Sequence, residues 1–163
     1  MPSSRKKTIV RMLSHEWVAG YLPPGGFLQN GHIELLALDG KTVQIPAEKL
    51  KWICYVRDFN SGEVENPERL LRKTFAGRPR TEGLLLRIQL ADGDSLEGLA
   101  ANDLSLVSGE GIFIIPPDVR SNTQRVWIPP DAMRQIEVLA VIGSAKRTKG
   151  PGKKAPAEQE SLF

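Results

Sequence analysis

Val43-Gln44-Ile45-Pro46 and Val126-Trp127-Ile128-Pro129 repeat one pattern at an offset of 83 residues. In each, two β-branched apolar residues flank a variable one and a proline follows, as in a short strand with one buried face and an enforced stop. At the same offset Leu50 falls on Met133 and Ile53 on Ile136. Upstream, an offset of 78 sets Val10, Met12, Val18 and Gly20 on Ile88, Leu90, Leu96 and Gly98. Between these blocks Ile33 and Leu35 are set against Ile112 and Ile114. The five-residue difference falls in the polar stretch 118–124, which suits a loop. Ordered matches of this kind describe a duplicated unit.

Each copy reads as five short strands. The first copy has them at Ile9–Leu13, Trp17–Leu22, His32–Leu38, Lys41–Ile45 and Trp52–Val56, and the second at Leu84–Leu90, Leu96–Ala100, Gly111–Ile115, Arg125–Ile128 and Ile136–Ile142. Asp92-Gly93-Asp94 supplies hairpin chemistry, while Ser14-His15-Glu16 fills the same turn without a glycine. Gly20 and Gly98 mark a bend in each second strand, and Pro46 and Pro129-Pro130 a turn before each fifth. Closing such strands into a small barrel would remove their exposed edges. The expected architecture is therefore all-β: two tandem small five-stranded barrels at 8–59 and 83–143. A linker at 60–82 carries a short helix starting at Asn66-Pro67-Glu68, with Leu70 and Phe75 at the seam. Residues 144–163, rich in Ser, Ala, Lys, Gly and Pro, read as a disordered basic tail.

The 163 residues carry a net charge of +3, but the ends supply it. Over 8–143 the chain has 14 basic and 17 acidic residues, which argues against a body built to bind phosphate backbones and leaves the tail as a weak nucleic-acid contact. Cys54 is the single cysteine, which excludes an intrachain disulfide and multi-cysteine metal sites and fits the cytoplasm. No apolar run is long enough to span a membrane. Ser14 and His15 are sequence neighbours whose side chains diverge on a strand, and Cys54 lies in an apolar strand, so a non-enzymatic protein without a cofactor is expected.

The run Leu86-Arg87-Ile88-Gln89-Leu90-Ala91-Asp92-Gly93 followed by Leu96-Glu97-Gly98-Leu99 resembles Sm-like barrels of the SH3 type. The loop that holds the base-stacking aromatic in Sm proteins is here Asp103-Leu104-Ser105-Leu106-Val107, which has no aromatic. The stretch Asp103 to Gly109 also resembles the strand turn of PilZ domains, β-barrels that bind cyclic di-GMP. That resemblance implies a nucleotide site at Arg78, Arg80, Asp103 and Ser105, with the arginine spacing departing from the PilZ arm. Val56-Arg57-Asp58-Phe59, with Ile115-Pro116-Pro117-Asp118 and Ser121-Asn122, resembles an uncharacterised bacterial family over most of 8–143.

Gln159-Glu160-Ser161-Leu162-Phe163 resembles the linear motif by which bacterial proteins bind the replication sliding clamp. The resemblance implies that Leu162 and Phe163 are apolar anchors and that Gln159 and Ser161 bond at the pocket rim, with Glu160 departing from the usual apolar second position. These observations give two expectations: a binding or adaptor protein recruited to the clamp, or a barrel that senses a cyclic dinucleotide or binds nucleic acid.

Overall fold

The computed structural model describes residues 5–23, 28–59, 74–117 and 122–143. Its strands are β1 (Lys6–Met12), β2 (Trp17–Leu22), β3 (Leu28–Gln29), β4 (His32–Ala37), β5 (Thr42–Pro46), β6 (Leu50–Val56), β7 (Gly83–Leu90), β8 (Ser95–Ala100), β9 (Ile112–Ile114), β10 (Thr123–Ile128) and β11 (Met133–Ile142). Eight of them make one sheet in the order β3-β4-β2-β1-β6-β10-β9, with β5 on β4; β11-β7-β8 make a second. A single bridge between Leu99 and Ile115 joins β8 to β9. The fold is all-β, every expected strand is present, and β3 is an addition.

The two halves repeat one register. In the N-terminal half the pairs are Val10–Ile53, Arg11–Trp52 and Met12–Leu50, with Lys51 bulged out. In the C-terminal half Ile88–Ile136, Gln89–Gln135 and Leu90–Met133 pair, with Arg134 bulged out. Ile33–Ile45 and Leu35–Val43 in one half match Ile112–Ile128 and Ile114–Val126 in the other. Tyr21–Leu36 likewise matches the Leu99–Ile115 bridge. Single 3-10 turns, Ala47–Lys49 and Pro130–Ala132, follow Pro46 and Pro129. A Cβ on Gly20 would stand 2.6 Å from the Leu36 carbonyl oxygen, and one on Gly98 would run into Ile114 Cδ1. Both glycines let the third strand cross tightly over the second.

The expectation of two closed, separate barrels is corrected: the sheets are not closed, and the halves are fused through β6. That strand pairs with β1 of its own half on one edge and with β10 of the other half on its second edge. Its side chains alternate between two cores. Leu50, Ile53 and Tyr55 enter a core with Val10, Ile33, Leu35 and Ile45. Trp52, Cys54 and Val56 enter the other, with Leu86, Ile88, Ile114 and Ile128. The exchange is mutual, because Trp127 of β10 is buried in the N-terminal core. A strand buried on both faces needs apolar residues at consecutive positions, and Trp52 to Val56 supply them. The expected helix start at Asn66, together with Leu70, lies outside the described residues. Phe75 is half-buried, and its amide donates to Glu97 Oε1 at 2.8 Å.

Candidate functional site

Three polar or aromatic clusters stand out, and each sits where the halves meet. The first forms around the β6 bulge. A bulge turns Lys51 out of the strand alternation, and its buried ammonium reaches the β7–β8 turn. Nζ lies 2.8 Å from Asp92 Oδ2 and 3.0 Å from Asp94 Oδ2, and 4.5 Å from the centre of the Trp52 ring. Asp92 Oδ1 accepts the Asp94 amide at 3.0 Å. Burial pushes the Asp92 carboxyl up, but the Lys51 ammonium and the Asp94 amide outweigh it and hold the group below the ordinary aspartate range. His15 Nε2 stands 3.5 Å from the same carboxylate oxygen. His15 takes the left-handed conformation (φ +78°) that Gly93 (φ +94°) takes in the equivalent turn. The cluster ties one hairpin turn of each half to the shared strand. Its contacts are those of a structural ion network.

The second cluster caps the β6–β10 joint. The Arg57 amide donates to the Asn122 carbonyl at 3.0 Å, and the Asp58 amide donates to Asn122 Oδ1, also at 3.0 Å. Asn122 Nδ2 returns a bond to the Asp58 carbonyl at 2.8 Å. The Asn122 side-chain amide thus imitates one more residue pair of the ladder, where the register between β10 and β6 shifts. Two sequence fragments 64 positions apart are joined by these contacts.

The third cluster is the most open. The Arg125 guanidinium lies 4.9 Å from the Tyr55 ring centre and 4.3 Å from that of Phe113. The two rings are tilted at 6.0 Å. Burial raises the Tyr55 hydroxyl above its ordinary pKa, with Arg125 pulling the other way. Phe113 and Arg125 border a concavity of about 270 Å³ with Glu82, Leu99, Ala101 and Ile115, at the gap that the single β8–β9 bridge leaves. A planar cation resting against two rings beside an apolar hollow offers a stacking surface for a flat ligand.

Of the residues expected from sequence, Gln159, Ser161, Leu162 and Phe163 lie outside the described residues. Arg78 and Arg80 are exposed, and Arg78 Nη2 donates to the Val141 carbonyl at 3.3 Å. Asp103 is exposed between β8 and the 3-10 turn Leu104–Val107, which contains Ser105. Register places Val141 and Ala100 on either side of Leu84, so Arg78 and Asp103 belong to the same end of the three-stranded sheet. Sequence reasoning missed Tyr55, Phe113 and Arg125. Their signal was an arginine at alternate spacing from Trp127 on a strand whose partner strand carries an aromatic.

The architecture defines an all-β protein in which two similar halves share a central strand joint. The chain belongs to a family of unknown function (DUF6982), which matches residues 4–140. The fragments joined by Asn122, Arg57-Asp58 and Asn122 itself, lie within that span. No curated protein and no solved structure matches the chain.

Proposed function

We propose that the protein is a non-enzymatic binding protein of the bacterial cytoplasm that is recruited to the replication sliding clamp. Gln159-Glu160-Ser161-Leu162-Phe163 carries this reading. Leu162 and Phe163 pair two large apolar groups after a stretch from 144 to 158 that has no other residue of that kind. Their burial in an apolar pocket supplies the binding energy, and Gln159 fixes the register at its rim. Fifteen residues separate Gly143 from Gln159, enough to let the peptide reach a partner away from the folded halves. In this reading each half is one copy of an Sm-like five-stranded unit serving as a scaffold. Full-length protein should bind a purified bacterial clamp with modest affinity, on the order of micromolar, and lose binding on Leu162→Ala/Phe163→Ala. Equal binding by that variant rejects the reading.

The Arg125 cluster favours a second reading, a site for a flat nucleotide such as a cyclic dinucleotide. The hollow beside Phe113 and Arg125 supports it more strongly than Arg78, Arg80, Asp103 and Ser105 do. Calorimetry with cyclic di-GMP separates the positions: heat lost on Arg125→Ala and kept on Arg78→Ala places the ligand on the aromatic cluster. Absence of heat rejects this ligand.

A further inference from the structure

The internal joint shows what the fifth strand of a half requires. On β6, the core-facing residues Ile53 and Tyr55 are 0% and 6% exposed, because β10 lies along their edge and lays Trp127 over the rim of the core. Register equates these positions with Ile136 and Val138 of β11. There they are 38% and 54% exposed, although their partners Ile88 and Leu86 are completely buried. Val141, opposite Leu84 on the same side, is 58% exposed. Among the described residues β11 pairs only with β7. A ten-residue edge strand with three open apolar residues at a core rim is a template for another strand.

We propose that the outer edge of β11 pairs with the same edge of a second copy of this chain, antiparallel about a two-fold axis. Such a pair would seal the rim of the C-terminal core as β10 seals the N-terminal one. A two-fold axis perpendicular to the sheet keeps the core-facing side of both copies on one side, so Ile136 of each chain meets its counterpart across the seam and lies diagonal to Val138. Centring the axis at Ile136 sets Gln135 opposite Glu137 and Val138 opposite Arg134 of the second copy, with no like charges in register. The free edge of β5 fits less well. Gln44 holds the position of Trp127, and docking β5 of a second copy there would carry Gln135 and Glu137 into the apolar surroundings that Trp52 and Cys54 occupy in the internal joint.

Sedimentation of the full chain across a concentration series reaching high micromolar tests this directly. The expected result is a reversible shift from 18.0 kDa to twice that mass, abolished by Val138→Lys and unaffected by Gln44→Lys. Hydrogen exchange on the wild type provides a measurement that needs no variant: amides of 134–138 should gain protection as concentration rises. A monomer throughout, or exchange at 134–138 independent of concentration, overturns the proposal. So does an oligomer that survives Val138→Lys, or a ladder of higher species that Gln44→Lys removes; the latter would mark head-to-tail assembly through β5.

Discussion

Trp127→Ala should destabilise the whole chain, because Trp127 belongs by sequence to the C-terminal half and by packing to the N-terminal core. The ring is 3% exposed among Val10, Ile53 and Tyr55. Burying about 200 Å² of indole at about 25 cal/mol per Å² contributes about 5 kcal/mol at most. Partial collapse of the cavity brings the expected loss to about 3–5 kcal/mol. Gln44→Ala at the equivalent, exposed position of β5 is the control and should stay within about 0.5 kcal/mol. Urea unfolding followed by tryptophan fluorescence and by far-ultraviolet circular dichroism should show one transition in both probes, since each core contains strands of both halves. A loss below about 1 kcal/mol on Trp127→Ala would refute the shared-core account. Two resolved transitions in the wild type would refute it equally.

The Gly98→Ala methyl would meet Ile114 Cβ at 2.7 Å as well as Cδ1, so thermal unfolding should report a loss of about 1–3 kcal/mol. Lys51→Ala leaves the Asp92 carboxylate, 7% exposed, without its cation; denaturant titration at pH 7 should show a loss of about 3–5 kcal/mol. The pH dependence follows from the same pair. The folded pKa of Asp92 lies below its unfolded value of about 3.9, so its contribution is complete above that value and drains as pH falls through the folded one. Asp92→Asn should therefore flatten the acid limb of a stability–pH curve, and an unchanged limb would disprove the assignment. His15→Gly relieves a left-handed conformation at the cost of an exposed contact to Asp92, and calorimetry should show a gain of about 0.5–1 kcal/mol.

Much of the fold was legible because the repeat fixes register as well as content. The offsets of 78 and 83 that align the apolar residues are the ones by which the observed pairs correspond, down to the bulges at Lys51 and Arg134. The turns were legible from chemistry: Gly93 stands at positive φ, and Pro46 and Pro129 each precede a single 3-10 turn. His15 was less so, because a histidine in the left-handed region is held by the surrounding hairpin, with its amide on the Met12 carbonyl at 2.8 Å. The Arg125 cluster was hidden for a similar reason. Tyr55 and Phe113 belong to different halves in sequence, and only the β6–β10 joint brings them to one guanidinium.

The separateness of the halves was the part misread, and β6 and β11 show why. Periodicity tells which faces of a strand are buried and leaves open what buries them. In β11, Gln135 and Glu137 alternate with Ile136 and Val138, the pattern of a strand with one wet face. In β6, Trp52, Cys54 and Val56 stand at the positions of Gln135, Glu137 and Leu139, so the outer face is apolar too. A closed five-stranded unit has no use for that second apolar face, and exposing it would leave Trp52 and Val56 in water. The face must be covered by something beyond its own half, and the C-terminal core covers it. Equivalent positions that differ only in the polarity of one face thus distinguish the strand at the centre of the molecule from the strand at its edge.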